Sequence, residues 1–341
     1  VEHRLMKKIR WGVLGAAKIA VEKVIPAMQG GQYSEVVAIA SRDQAKAADA
    51  AARLGISRAH GSYEALIADP DVDAIYNPLP NHLHLPWTTA AAEAGKHVLC
   101  EKPLGLNATE ARQLLATRDR TGVTIQEAFM VWTHPQWVRA TELCRSGALG
   151  DVRSVVGMFS YYNDDPANIR NVQEWGGGGL MDIGCYLIVT ARMIFGEEPT
   201  RVLGLMTTDP ESNVDTLTSI VLDFPSGQAI GMCSTRVTAY QRVQVFGTHK
   251  RLEIEIPFNA PNDRPCRLWT DDGRDLFGGG VEVMAVDTCD QYRIQGDLLS
   301  KTILDGAPQP YPLEMSVRNM EIIDAVFRSA EFGHWETIGQ A

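Results

Sequence analysis

From Ile9 to Ala128 short apolar runs alternate with helical stretches, and this alternation constrains the fold more than any other feature of the chain. Ile9–Leu14, Val36–Ala40, Ala74–Tyr76, His97–Cys100 and Thr124–Ala128 read as strands. Ala16–Met28, Gln44–Leu54, Pro86–Ala94 and a stretch ending at Arg120, which Asn107 can cap, read as the helices between them. Short apolar strands between helices are parallel strands buried on both faces. The expected N-terminal architecture is therefore a doubly wound parallel sheet.

The pattern changes after Ala128. His134–Arg145 reads as a connecting helix, Arg153–Tyr162 as a longer alternating strand and Leu180–Phe195 as a helix. Residues 201–256 are strand-rich, with turn signals at Asp209-Pro210, Pro225-Ser226-Gly227 and Gly247-Thr248. Gln291–Leu304 and Leu313–Ser329 close the chain as helices. Strands in series without intervening helices form an antiparallel or mixed sheet, and one broad face of it needs a cover. With 341 residues, two domains are the default. The expected fold is α/β. Residues 6–128 are expected to form the doubly wound domain, and residues 129–341 an α+β domain with a large, open, mostly antiparallel sheet.

A net charge of −10 argues against a nucleic-acid partner. No apolar run is long enough to span a bilayer, so no membrane partner is expected. Val1–Lys8 is polar and basic and does not read as a secretory signal; Val1–Leu5, ahead of Met6, stays outside the fold argument. The six cysteines stand singly, with no Cys-x-x-Cys pair, which argues against structural zinc and for a reducing, cytoplasmic setting. His82 and His84 have no third ligand nearby, so no metal is expected.

Four segments carry chemistry. Gly12 to Ala20 follows a strand and opens a helix, the setting of a dinucleotide fingerprint in a Rossmann sheet. Gly15, Ala17 and Ala20 hold its three positions, and amides at the helix start would hold a pyrophosphate. At the end of the second strand, Ser41-Arg42-Asp43 places a guanidinium where an NAD site usually has a carboxylate. Arg42, with Lys46 a turn later, suits a 2′-phosphate, so NADP is expected over NAD; an Asp43 turned into the pocket would reverse this. Glu101-Lys102-Pro103 follows the strand His97–Cys100, at the end where active groups lie. A lysine there suits proton exchange with a substrate hydroxyl. In Gly176–Gly179 the glycines allow a close approach of backbone to a ligand. Asp182 and Tyr186, four apart, share a face of the helix that follows.

Taken together, Gly12–Ala20, Pro80-Asn81 with His84, Ala94–Val98 running into Glu101-Lys102-Pro103, and Gly177-Gly178 running into Asp182-Ile183-Gly184 resemble the Gfo/Idh/MocA oxidoreductase family. The resemblance covers nearly the whole chain. Glu127–Met130, His134–Gln136, Asn168–Arg170 and Leu180–Tyr186 are similar to the branch of NADP-dependent D-xylose dehydrogenases, dimeric dihydrodiol dehydrogenases and glucose–fructose oxidoreductase. The resemblance implies that Lys102 and Tyr186 share the proton transfer and that Asp182 shapes the substrate site. It implies cofactor contacts from Gly12, Gly15, Ala17, Lys18, Ile19, Ser41, Arg42, Lys46, Leu79, Pro80, Asn81, His84, Glu101 and Lys102. Substrate contacts are implied for Lys102, Tyr161, Arg170, Asp182 and Tyr186. It further implies a cis peptide between Lys102 and Pro103, and a homodimer or dimer of dimers through the open face of the C-terminal sheet. Trp132, where the branch often has arginine, and Ala17, where the fingerprint has glycine, depart from the pattern.

The leading expectation is an NADP-dependent oxidoreductase interconverting a hydroxyl and a carbonyl on a sugar or related cyclic polyol. A trans-dihydrodiol dehydrogenase or keto-sugar reductase is the alternative on the same scaffold, with Tyr161, Tyr162 and Trp175 as pocket walls. A non-catalytic dinucleotide-binding regulatory sensor is the alternative of another class; the presence of Lys102, Asp182 and Tyr186 argues against it.

Overall fold

The structure, a computed structural model, describes residues 7–339. The first six residues, and with them most of the Val1–Lys8 reading, lie outside the described residues. The chain divides into two compact units: residues 1–130 with 290–317, and residues 131–289 with 318–341. The contiguous division at 128/129 read from the sequence lies two residues ahead of this boundary and leaves residues 290–317 with the second unit. Residues 290–317 return to the first unit, where the helix Gln291–Asp305 packs. Its Ser300 accepts the indole N–H of the buried Trp11 at 3.0 Å, and its Asp297 accepts the amides of Gln32 and Tyr33 at 2.8 and 2.9 Å. A helix so late in the chain gives no sign in its own pattern of which sheet it will cover.

The first unit holds six strands: β1 (Ile9–Leu14), β2 (Ser34–Ala40), β3 (Arg58–His60), β4 (Ala74–Asn77), β5 (His97–Cys100) and β6 (Ile125–Glu127). Their order is β3-β2-β1-β4-β5-β6 and every pairing is parallel. The order reverses between β1 and β4, the switch point at which such sheets bind ligands. The register brings Leu14, Ala40, Asn77, Cys100 and Glu127 to one edge, so the segments after β1, β2, β4 and β5 emerge together. The strands are apolar because helices cover both faces; Trp11, Val13, Ile39, Ile75, Leu99 and Ile125 are all buried. The short β3, half-buried and carrying Arg58 and His60, is the strand that the apolar pattern does not reveal.

The second unit is built on nine strands: β7 (Val152–Tyr162), β8 (Arg201–Thr208), β9 (Asp215–Asp223), β10 (Gln228–Ser234), β11 (Arg236–Gly247), β12 (Arg251–Ile254), β13 (Cys266–Asp271), β14 (Val281–Val286) and β15 (Glu336–Thr337). The order is β14-β13-β12-β11-β7-β10-β9-β8-β15, antiparallel except for the parallel pair β7–β10. Alternation along β7 buries Val155 and Phe159 and turns Val156 outward. The inner face meets the helix Cys185–Phe195, whose Leu187 lies against Gly157 and Gly231. The apolar segment 173–195 is long enough to cross a membrane, yet 89% of its most apolar window is buried inside this unit. It is the unit's core helix.

Candidate active site

On the first unit, the candidate residues gather at the C-terminal edge of the sheet. Gly15 ends β1 in the left-handed region, φ +82°, and its amide donates to Ala40 O at 2.8 Å. A Cβ there would stand 3.0 Å from the Leu79 side chain, so the turn needs glycine for conformation and for space. Ala17, Lys18 and Ile19 lead into a helix whose first turns are a π-helical segment, Ala20–Val24, with no side-chain cap. Uncapped amides at a helix start are where an anion binds. Gly12 lies inside β1, packed beneath Leu66 and Val72.

Ser41 is buried at the end of β2, while Arg42 and Lys46 are exposed beyond it. Asp43 caps the helix Gln44–Leu54, its carboxylate accepting the amides of Ala45 and Lys46 at 2.9 and 3.3 Å. Its carboxylate therefore serves the backbone. Arg42 lies close enough to the Tyr63 hydroxyl to bond it.

After β5, Glu101 accepts the Tyr76 hydroxyl at 2.6 Å, and Lys102 joins Pro103 through a cis peptide, as the resemblance implies. Burial, with Glu101 as neighbour, holds the Tyr76 phenol well above its ordinary range. His84, expected on the cofactor, is fully buried. Its Nδ1 lies 2.8 Å from Pro103 O and its Nε2 2.7 Å from Leu79 O. Burial pulls its pKa down, and the two carbonyls, which favour a proton on each nitrogen, pull it up. Pro80 and Asn81 begin the short 3-10 turn ahead of it.

On the second unit, Asp182 is the organising group. Its Oδ2 accepts the Tyr161 hydroxyl at 2.5 Å and lies 2.9 Å from Arg170 Nε. Burial, then the neighbouring carboxylate, raise the Tyr161 phenol far above its ordinary value, so it donates and does not ionise. Tyr186 packs against Phe159 and Phe258 at ring-centroid distances of 5.8 and 5.3 Å. Phe159 and Tyr161 are two apart on β7, hence on one face, so Asp182 and Tyr186 share that face. Asp182 sits in a π-helical turn, Leu180–Gly184, where a regular helix is expected, and Tyr186 in the helix Cys185–Phe195 that follows. Such turns recur at functional sites. Tyr162 points the other way, is 63% exposed and bonds Asp164, so it cannot share a wall with Tyr161.

The glycine run has a role that the sequence reading misses. Gly178, at φ +112°, passes so close to Asp215 that a Cβ would stand 2.1 Å from Oδ1. Asp215 Oδ2 accepts the Leu180 amide at 2.8 Å and the Thr218 hydroxyl at 2.6 Å. The close approach is thus to a buried carboxyl of the same unit, which caps the turn carrying Asp182. Gly178 N donates to Arg170 O at 2.9 Å, which ties the Arg170 loop to the same turn. Burial raises the Asp215 carboxyl above the usual range. A lone aspartate at the start of a strand carries no sequence signal of this role. Trp137 is fully buried, and its indole N–H donates to Pro257 O at 2.6 Å.

Comparison with known proteins identifies the family. Residues 9–129 match the model of the GFO/IDH/MocA oxidoreductase family, NAD-binding Rossmann fold, and residues 137–253 match the GFO/IDH/MocA C-terminal domain. An uncharacterized oxidoreductase, ORF334, of Rhizobium meliloti is 48% identical over 98% of this chain and 100% of its own. D-xylose 1-dehydrogenase (NADP(+)) 2 of Haloferax volcanii is 42% identical over 95% of this chain and 98% of its own. Among solved structures, KijD10, a 3-ketoreductase from Actinomadura kijaniata in complex with TDP-benzene and NADP, superposes with a TM-score of 0.88 at 29% identity. That match covers 95% of this chain and 98% of KijD10, in a Y186F variant of that protein. A mouse trans-1,2-dihydrobenzene-1,2-diol dehydrogenase is similar at lower identity, 32% over 72% of this chain and 74% of its own.

Proposed function

The chain belongs to the GFO/IDH/MocA oxidoreductase family, and we propose that within it the protein uses NADP(H) to interconvert a hydroxyl and a carbonyl on a sugar or related cyclic polyol. One observation carries the proposal. Tyr161 and Arg170 converge on a single oxygen of Asp182, on the strand face that also holds Tyr186. A carboxylate fixed by two donors offers a stationary acceptor for a sugar hydroxyl. A phenol on the same face can hand over a proton.

The residues present fit the cofactor. Gly15 and the uncapped helix start suit a pyrophosphate, and Arg42 suits a 2′-phosphate because Asp43 is engaged as a helix cap. The NADP dependence of the Haloferax enzyme and the NADP in KijD10 support the same choice. When bound, the nicotinamide supplies the hydride acceptor or donor. Lys102 holds and passes the proton of the reacting hydroxyl together with Tyr186, while Asp182 and Asn81 orient the sugar. Turnover of an aldose panel with NADP by Lys102→Ala and Tyr186→Phe is the test. Each is expected to lose about 100-fold or more, and unchanged turnover in both removes the assignment.

A second reading on the same scaffold, oxidation of a trans-dihydrodiol or reduction of a keto-sugar, draws support from the aromatic packing of Tyr186 with Phe159 and Phe258. Adding those substrates to the panel separates the readings. The protein is further proposed to be a homodimer through the open face of the nine-stranded sheet. Val156 and Ile230 pair there at 38% and 49% exposure, Leu205 stands 75% exposed, and an apolar patch of that kind marks an interaction surface. Six free thiols support a reducing, cytoplasmic setting.

A further inference from the structure

His84 spans two segments that the reaction needs. Leu79, whose carbonyl faces Nε2, packs its side chain over Gly15. Pro103, whose carbonyl faces Nδ1, is the residue after Lys102. The ring is fully buried at the first position of the helix His84–Glu93. That helix is itself tied to the strand ends. Asn77, the last residue of β4, donates to Thr88 Oγ1 at 3.1 Å and receives the Leu79 amide on its Oδ1 at 3.3 Å. One flat ring therefore fixes the spacing between the loop after β4 and the turn after β5. Imidazole suits this because its two nitrogens project from opposite edges of one rigid plane, and with a proton on each the ring donates to both carbonyls. An amide side chain cannot present polar atoms in two opposed directions at that reach.

We propose that His84 is a positioning residue for the Lys102 turn, acting through the carbonyls of Leu79 and Pro103, and not a ligand of the cofactor. This rests on the reading of Lys102 as the proton-exchanging group. A ring that loses either contact lets the cis-Pro turn shift, and with it the root of the Lys102 side chain. Misplacing a reacting group by about 1 Å lowers turnover by about 100-fold. The effect falls on kcat, because Lys102 acts on the proton of the reacting hydroxyl while Asp182 holds the sugar.

The test uses the full chain with NADP and the best sugar from the panel. His84→Gln and His84→Asn are expected to lose about 100-fold in kcat while KM for the sugar stays within about twofold. In a Lys102→Ala background, His84→Gln is expected to change kcat by less than about twofold, since the residue through which it acts is gone. If Lys102→Ala is impaired and the two losses multiply, the positioning role is overturned while the reading of Lys102 stands. If Lys102→Ala is fully active, that reading and the proposal fall together. Should both His84 variants fail to fold, a crystal structure of the wild-type NADP complex decides. Both carbonyl contacts kept, with no cofactor atom within about 4 Å of the ring, supports the proposal. A ring nitrogen bonded to the cofactor overturns it.

Discussion

Asp215 caps the turn that carries Asp182, so removing its carboxyl should loosen that turn before it disturbs the rest of the second unit. In Asp215→Ala, the Leu180 amide and the Thr218 hydroxyl lose acceptors at 2.8 and 2.6 Å inside the protein. Each buried donor left without a partner costs about 1–3 kcal/mol, so the variant should lose roughly 3–4 kcal/mol. Asp215→Asn keeps an acceptor oxygen of the same shape. Because burial already favours the uncharged carboxyl, it should cost about 1 kcal/mol or less. Gly178→Ala attacks the contact from the other side, through a left-handed residue and a Cβ set against Oδ1. Part of its cost is the clash, so Gly178→Ala and Asp215→Ala combined should be less destabilised than the sum of the two. Urea unfolding followed by far-ultraviolet circular dichroism measures the four variants against wild type. An Asp215→Ala variant within about 0.5 kcal/mol of wild type, or strict additivity with Gly178→Ala, refutes the capping role.

Arg42→Ala should weaken NADP binding by about 10–100-fold, as expected for a lost guanidinium–phosphate pair, and leave NAD binding nearly unchanged; calorimetric titration with both cofactors checks it. Burial holds His134 neutral, with a pKa pushed down from 6.5 to about 4. The unfolded chain therefore binds more protons at this site between those values, and stability must fall as pH drops from 6.5 toward 4, by roughly 3 kcal/mol. Asp215, whose carboxyl is raised, opposes this slope, so the measurement is the difference in melting temperature against pH between wild type and His134→Asn. Equal slopes would contradict it. Ile230→Glu places a charge in the exposed apolar row and should shift the protein to monomer in analytical ultracentrifugation without changing its far-ultraviolet spectrum.

The first sheet was legible because parallel strands buried on both faces must be apolar throughout. Ile9–Leu14 and His97–Cys100 appear at their expected bounds for that reason, and Asn107 caps its helix as its position suggests. What escaped reading depends on contacts remote in sequence. Residues 290–317 join the first unit through Trp11 and Tyr33, far upstream. The glycines before Asp182 read as room for a ligand, but at Gly178 the space is taken by Asp215. Asp182 and Tyr186 were visible as a pair. Tyr161 and Arg170 entered only as substrate contacts implied by resemblance, and their hold on Asp182 was not foreseen, because no local pattern brings a strand residue and a loop residue to one carboxylate oxygen.

Label transfer tests the central claim most directly. With aldoses deuterated at the oxidised carbon and NADP, the account predicts deuterium in the reduced nicotinamide, and its loss in Lys102→Ala and Tyr186→Phe. Tight NADP binding with no label transferred from any sugar, dihydrodiol or cyclic polyol would contradict it.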